Sequence, residues 1–159
     1  LPTATTPCPL PPAHYPLPTT PALMRITTPI QVRFSDLDMA RHVHNAVYLQ
    51  YFELGRMNTL RQFIEKDHDW VRMGLILARN EVDHRKPIHL ADPVEVQCWC
   101  GRIGAKSFDL LYQVRHVHDG TIFAEGRSVM VAFDYAQQAS IPLPDAWRSG
   151  LAQLLEEAV

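Results

Sequence analysis

Four side chains capable of acid–base chemistry lie close together in the sequence: Asp36, Asp38, His42 and His44. They stand between a run with strand-like alternation and a run with helix-like spacing that begins near Asn45. The N-terminus of a helix offers unpaired backbone N–H groups and the positive end of a dipole, which together stabilise negative charge. A carboxylate beside such amides is therefore a candidate site for general-base or nucleophilic chemistry.

The flanking runs predict the elements that must position these residues. Ile30, Val32 and Phe34 alternate with polar residues, which predicts a strand with these three side chains on one face. From Asn45 to about Lys66 the apolar residues recur at three- and four-residue steps or sums of them, which predicts one long helix. Its expected buried face consists of Tyr48, Tyr51, Phe52, Leu60, Phe63 and Ile64.

Four more strand-like segments and a second helix follow the long helix. The strands are predicted at about 75–88, 94–100, 108–114 and 122–133, and an amphipathic helix is predicted over 145–159. Val94, Val96, Cys98 and Cys100 should share a face, as should Phe108, Leu110, Tyr112 and Val114. These elements predict an α+β protein in which one helix covers an antiparallel sheet of five strands. Because such a sheet has exposed edges, we expect a homodimer, with a homotetramer left open.

Composition excludes several classes of protein. The 159 residues, 18.1 kDa, are 47% hydrophobic and 20% charged, as in a globular domain. A net charge of −2 argues against a nucleic-acid partner, because phosphate binding requires many cations. No apolar run approaches the roughly 18 residues of a membrane helix. Only three cysteines occur, and Cys98 and Cys100 have strand spacing, so we expect no disulfide framework and a cytoplasmic location.

Residues 1–23 form a separate proline-rich zone. Eight of the 13 prolines lie there, and no Lys, Arg, Asp or Glu precedes Arg25. This composition favours an extended chain. It is consistent with a disordered or appended leader before a natural start at Met24, or with an arm that lies on the body or on a partner subunit. Residues 24–159 are predicted to form the functional domain.

The segment from Asp36 to Leu49, DLDMARHVHNAVYL, and the following YFELGR resemble the signature of hotdog-fold thioesterases of the 4-hydroxybenzoyl-CoA thioesterase type. The same stretch is similar to plant-type acyl-ACP thioesterases, and weaker landmarks at Pro87, Asp92 and 103–108 extend the resemblance over roughly residues 28–145. The resemblance implies a curved sheet wrapped around a central helix, active sites at a dimer boundary, and hydrolysis of acyl thioesters of coenzyme A or acyl carrier protein. It implies no cofactor, since coenzyme A is part of the substrate.

By motif position, Asp38 matches the family's catalytic carboxylate, acting as nucleophile or general base. Asn45 matches the residue whose backbone N–H polarises the thioester carbonyl. His42 matches an accessory histidine of the acyl-ACP branch, although that branch's asparagine is here Ala40. Asp38 also suits the simpler role of stabilising a turn before the helix, as does Asp36.

The remaining site predictions concern substrate binding. Tyr48 is expected to line the acyl pocket, and Lys106, Ser107 and Arg102 match or neighbour the place where relatives bring basic residues to the nucleotide. Arg85, Lys86 and Arg127 are further candidates. The paired histidines lack a third ligand at metal-binding spacing, so no metal site is predicted.

Glu53 and Arg56 are expected to pair on the helix surface, because they are three residues apart. A helix carboxylate is the catalyst in some hotdog enzymes, but the motif here is that of the Asp-loop branch, so we expect a structural role for Glu53. The favoured function is an acyl thioesterase. The alternatives are a non-catalytic acyl-thioester binding module and, less well matched, a hotdog hydratase.

Overall fold

The computed structural model describes residues 24–155. The elements in chain order are β1 (Ile26–Ile30), α1 (Val47–Leu60), β2 (Gly74–His84), β3 (Val94–Ile103), β4 (Ser107–His116), β5 (Ile122–Asp134), β6 (Ala139–Ser140) and α2 (Asp145–Ala152). A short 3-10 turn, Phe34–Asp36, lies between β1 and α1. The prediction that residues 1–23 form a proline-rich arm lies outside the described residues.

The strands form one antiparallel sheet in the order β1-β3-β4-β5-β2, with the two-residue β6 paired to β5. The predicted five-strand sheet with one long helix and a short C-terminal helix is confirmed, with β6 as a small addition. The outer strand β2 is 11 residues long and pairs on only one side within the described chain. A register shift between Cys100 and Arg102 places a bulge at Gly101.

Helix α1 packs on the inner faces of β3 and β4. Phe52 is fully buried, and its ring stacks on that of Tyr112 with 4.4 Å between centroids. Burial of a side chain of this size contributes about 1.5–3 kcal/mol. Gly126 on β5 lies directly under the Phe52 ring, where a Cβ would overlap it. The predicted shared faces are confirmed, because the alternate residues Val94–Cys100 and Phe108–Val114 are all buried.

Three predicted boundaries around the first strand and helix are wrong. The first strand ends at Ile30, and Phe34 is 82% exposed, because the Asp36 side chain bonds back to Arg33 and folds 33–36 into a tight turn. Helix α1 begins at Val47 rather than Asn45 and ends at Leu60 rather than near Lys66.

The helix ends early because the following amides switch to three-residue bonds. The Gln62 N–H donates to the Thr59 carbonyl and the Phe63 N–H to the Leu60 carbonyl, which tightens the last turn. Helix α2 is also shorter than predicted, ending at Ala152. Strand β2 also ends earlier than predicted, at His84 rather than near residue 88, because the next two amides, of Arg85 and Lys86, both donate to the Phe123 carbonyl and the regular ladder stops there.

Candidate active site

The segment from Asp38 to His42 is a tight loop organised by its first residue. The Asp38 N–H donates to the His42 carbonyl at 2.9 Å, and the Arg41 N–H donates to the Asp38 carbonyl at 3.0 Å. The Asp38 side chain accepts from the Ala40 N–H at 2.8 Å and, less closely, from the His42 N–H at 3.3 Å, both at Oδ1. Arg41 has φ of 64°, a conformation that costs a non-glycine residue about 1–2 kcal/mol. The loop therefore holds the exposed Asp38 carboxylate in one place.

Asp36, which is buried, holds the start of this loop through hydrogen bonds. It is 2% exposed and accepts hydrogen bonds from the Arg33 N–H at 2.9 Å and the Tyr51 hydroxyl at 2.9 Å. The Arg33 guanidinium also pairs with it at 3.0 Å. Burial opposes ionisation of Asp36, but these donors outweigh burial and lower its pKa. Its backbone carbonyl accepts from the His44 N–H at 2.8 Å, so the buried aspartate ties the loop to α1.

The other side of the loop is attached to the chain that follows β2. The Val43 N–H donates to the Ile88 carbonyl at 2.9 Å, and both residues are buried. The His42 ring packs edge-on against that of His89, with centroids 5.0 Å apart, and His89 contacts Asp92 at 3.5 Å. These contacts bring the end of β2, distant in sequence, next to the Asp38 loop.

The backbone N–H groups just before and at the start of α1, those of residues 45–47, differ in whether they have a hydrogen-bond acceptor. The Ala46 N–H donates to Asn45 Oδ1 at 2.9 Å and to His44 Nδ1 at 3.2 Å, and the Val47 N–H donates to the His44 carbonyl at 2.9 Å. The Asn45 N–H has no hydrogen-bond partner in the part of the chain that is described. Asn45 thus lies just before the helix rather than at its first residue, yet it presents the available amide.

A cleft of about 420 Å³ joins these features. Its lining residues are Asp38, His42, Val43, His44, Asn45, Tyr48, His84, Arg85, Lys86 and Pro87. The structure therefore brings together four residues that the sequence predicted for the site: Asp38, His42, Asn45 and Tyr48. The Tyr48 ring is buried and meets the His84 ring edge-on at 4.6 Å. Burial raises the pKa of Tyr48, with the Ile88 backbone amide acting in the opposite direction.

Three of the residues predicted to bind the nucleotide, Arg102, Lys106 and Ser107, are not in this cleft. Arg102 pairs with the buried Asp109 at 3.0 Å, and Arg127 reaches the same carboxylate at 2.6 Å. Burial of Asp109 is outweighed by these two guanidinium groups, which lower its pKa. The Lys106 ammonium donates to the Ser140 carbonyl at 2.9 Å, and Ser107 begins β4. Their predicted role in substrate binding stays a prediction.

His84 was not among the residues predicted for the site. No local motif marks this residue, because it reaches the cleft only through the antiparallel path of β2 along α1. Arg85 and Lys86, which were named among further candidates, do line the cleft. Arg85 already pairs with Glu125 at 3.2 Å, whereas the Lys86 side chain forms no hydrogen bond or ion pair within residues 24–155. The cleft thus offers a cation opposite a carboxylate and a free amide.

Glu53 and Arg56 pair on α1, as predicted, with a 3.8 Å contact. Cys98 and Cys100 are buried free thiols, and burial raises their pKa values to about 12 and about 11. Among the residues described, no group of three or more His, Cys, Asp or Glu side chains is placed to hold a metal ion. No described helix is both long and apolar enough to cross a bilayer.

This arrangement can bring a carbonyl compound between a carboxylate and an available N–H. An N–H in such a position can polarise the carbonyl and stabilise an oxyanion, and a carboxylate beside it can activate water or attack directly. The aromatic ring of Tyr48 and the rings of three histidines line the space around the reacting group. The geometry suits acyl transfer to water.

Comparisons with known proteins identify the family. Residues 32–151 match the family model described as the thioesterase-like superfamily. The long-chain acyl-CoA thioesterase FadM of Escherichia coli (strain K12) is 24% identical over 132 residues, covering 81% of this chain and 98% of that protein. A thioesterase from Thermus thermophilus, solved with coenzyme A and Zn, is 36% identical with a TM-score of 0.69, covering 79% of this chain and 95% of that chain.

A predicted thioesterase from Bacillus stearothermophilus is 26% identical with a TM-score of 0.77, covering 86% of this chain and all of that chain. The family match covers most of the chain, and it includes the whole Asp38 loop and α1. The chain therefore belongs to the thioesterase-like superfamily and is a thioester hydrolase of the hotdog fold.

Proposed function

We propose that this protein hydrolyses acyl-CoA thioesters to a free acid and coenzyme A, with Asp38 and the Asn45 amide acting on the thioester carbonyl. The single observation that carries this proposal is the cleft in which both residues meet Tyr48 and His42. The relatives support the choice of carrier, since FadM is a long-chain acyl-CoA thioesterase and the Thermus thermophilus thioesterase was solved with coenzyme A.

The two oxygens of Asp38 have separate roles in this proposal. Oδ1 accepts the Ala40 and His42 amides and holds the loop. Oδ2 accepts no hydrogen bond from any described residue, so it is available to activate water or to attack the carbonyl carbon. In the first route water adds directly. In the second route an acyl-aspartate anhydride forms as the thiolate leaves, and water then releases the acid.

Lys86 supports a phosphate-bearing carrier. It lies in the cleft near the Asp38 loop, and Arg85 beside it is held by Glu125. A lysine ammonium is a compact cation that suits the phosphates of coenzyme A. An acyl carrier protein also carries a phosphopantetheine group, so it is the alternative carrier.

The proposed assembly is a homodimer that pairs through the outer edge of β2. This edge is long and unpaired within the described chain, and Leu77 on it is 40% exposed. Unpaired strand edges of this length are normally covered. Arg102, Lys106 and Ser107 lie outside the cleft of their own chain, so their predicted role requires a second copy to bring them to it.

The test is release of free thiol from a panel of short, long and aromatic acyl-CoAs by the wild type and Asp38→Asn. Asparagine keeps the Oδ1 acceptor that holds the loop but lacks the carboxylate, so the fold should persist while turnover falls by at least about a hundredfold. Asp69→Asn is the matched control, because Asp69 Oδ1 likewise accepts two backbone amides of its own turn, those of Val71 at 3.0 Å and Arg72 at 3.3 Å, and Asp69 does not line this cleft.

A non-catalytic binding module was the alternative expected from the sequence, and the capping bonds of Asp38 do not discriminate against it, since a purely structural aspartate would make the same bonds. Equal turnover by wild type and Asp38→Asn would remove Asp38 from the mechanism. Tight binding of acyl-CoA by wild type with no thiol release from any substrate would identify the protein as a binding module.

A further inference from the structure

A second cleft, of about 390 Å³, lies farther along the same seam between α1 and β2. Its lining is mostly apolar: Met57, Leu60, Trp70, Leu75, Leu77 and Met130, with Glu53 and Arg56 as the charged members. Strand β2 contributes His84 to the Asp38 cleft at one end and Leu75 and Leu77 to this cleft at the other. The two clefts therefore follow one path along the helix, and an acyl chain leaving the Asp38 site has this apolar space ahead of it.

Arg56 is an unusual member of this lining because it is 8% exposed. Its ion pair within residues 24–155 is with Glu53, and the Nη2–Oε1 distance of 3.8 Å is too long for a hydrogen bond. The Glu53 side chain is 63% exposed, so the pair is open to solvent on one side. A buried guanidinium is costly unless its N–H groups are satisfied.

A second buried polar group lies beside Arg56. The Tyr112 hydroxyl has no hydrogen bond of good geometry to any residue of the described range. Burial raises its pKa, and the nearby Ser128 hydroxyl and Arg56 guanidinium only partly oppose this rise. Tyr112 does not line the second cleft, whereas Arg56 does, so of these two groups only the Arg56 guanidinium can meet a ligand there.

We propose that Glu53 and Arg56 select acyl groups that carry a hydroxyl far from the thioester, a proposal that rests on the thioesterase function proposed above. A hydroxyl donates one hydrogen bond and accepts others, so it can donate to Glu53 and accept from Arg56. An oxygen about 2.8 Å from each atom fits between partners 3.8 Å apart. A carboxylate in this place would be repelled by Glu53, and an unsubstituted alkyl chain would offer no polar atom to the Arg56 guanidinium.

The helix sets the position of this hydroxyl along the chain. Glu53 lies eight residues beyond Asn45, or about 12 Å at about 1.5 Å per residue. An extended alkyl chain with C–C bonds of about 1.5 Å advances about 1.3 Å per carbon. The hydroxyl therefore belongs on about the eighth to tenth carbon, near the end of a medium-length acyl chain.

The test compares kcat/KM for decanoyl-CoA, ω-hydroxydecanoyl-CoA and β-hydroxydecanoyl-CoA. We expect the wild type to favour the ω-hydroxy substrate over both others by about tenfold, the effect of one charge-assisted hydrogen bond. Arg56→Lys and Glu53→Gln should reduce this ratio towards unity. Glu53 is exposed, so Glu53→Gln should fold even if Arg56→Lys does not. Arg115→Lys, which alters a comparable Arg–Glu pair on β4 and β3, should leave the ratio unchanged.

The ratio of kcat/KM for the ω-hydroxy substrate to that for the other two distinguishes a role in selectivity from a structural role. A packing defect would lower kcat/KM for all three substrates together and leave the ratio unchanged. Equal kcat/KM for decanoyl-CoA and its ω-hydroxy form in the wild type overturns the selectivity while leaving the thioesterase function intact. If no acyl-CoA is hydrolysed, the function fails instead. In that case the affinities of Asp38→Asn protein for decanoyl-CoA and for ω-hydroxydecanoyl-CoA, measured by calorimetry, test the selectivity without turnover. Equal affinities would overturn the proposed selectivity.

Discussion

The Tyr51 hydroxyl donates a 2.9 Å hydrogen bond to the buried carboxylate of Asp36. The two residues are 15 positions apart, one in the turn before the Asp38 loop and one on the buried face of α1. This bond fixes the loop to the helix that supplies the other half of the site. The position of the Asp38 carboxylate therefore depends on a contact made two residues earlier.

Removing the Tyr51 hydroxyl should reduce both stability and turnover. In Tyr51→Phe the ring remains, but Asp36 loses a donor to a buried carboxylate, which costs about 1.5–3 kcal/mol of the free energy of unfolding. Urea denaturation measures this loss, and kcat should fall because the loop is less well held. Tyr135→Phe is the control, since its exposed hydroxyl donates to a backbone carbonyl, that of Leu75 at 2.9 Å, and not to a buried carboxylate. Equal losses of unfolding free energy in the two variants would show that the hydrogen bond to Asp36 contributes no more to stability than the one to the Leu75 carbonyl.

Acid should destabilise the protein partly through Asp36. Its pKa is lowered from 3.8 in the folded state, so the carboxylate stabilises the fold above about pH 4, and this contribution is lost as the pH falls through the folded value. One such group changes the free energy of unfolding by up to about 1.4 kcal/mol per pH unit in that window. Denaturation curves from pH 6 down to pH 3 should have a shallower pH dependence in Asp36→Asn. An unchanged slope would assign the acid sensitivity to other carboxylates, of which Asp109 and Asp119 also have lowered pKa values.

The Asn45 amide can be tested by removing its hydrogen. Asn45→Pro lacks the N–H, and loss of one oxyanion donor typically lowers kcat by about a hundred- to a thousandfold. Asn45→Ala keeps the N–H and should retain most of the activity, because the Asn45 side chain only accepts the neighbouring Ala46 amide. Thermal unfolding of both variants checks that the start of α1 is intact. If the alanine variant loses as much activity as the proline variant, the side chain rather than the amide is responsible.

Lys86 and Lys106 are the two candidates for a lysine that contacts the phosphates of coenzyme A. Lys86→Ala should raise KM for acyl-CoA about tenfold and leave kcat nearly unchanged, because the contact is made equally in the ground and transition states. The same variant should have little effect on an acyl-pantetheine thioester, which lacks the phosphates. Lys106→Ala should raise KM less, since its ammonium is held by Ser140 outside the cleft. The opposite ranking would place the nucleotide at the β4 end, as the family resemblance predicted.

The sequence by itself determined the strands, the central helix and the Asp38–Asn45 motif, because each is encoded by residues close together in the chain. Alternation of Val94, Val96 and Cys98 is enough to predict a buried strand face, and short-range spacing is enough to predict α1. The same local patterns wrongly predicted a longer helix and placed Phe34 in a strand. A few hydrogen bonds, such as those between Asp36 and Arg33, decide where an element ends, and the periodicity of the sequence does not show them.

Only the tertiary structure decided which residues share the cleft. His84 and Lys86 join Asp38 because β2 runs antiparallel along α1, while Arg102 is directed to Asp109 and away from the site. The burial of Arg56 and Asp36 was likewise absent from any local pattern, because burial depends on elements far apart in the chain packing against one another. Periodicity reports which face of an element is apolar, and the packing of distant elements decides which polar groups meet.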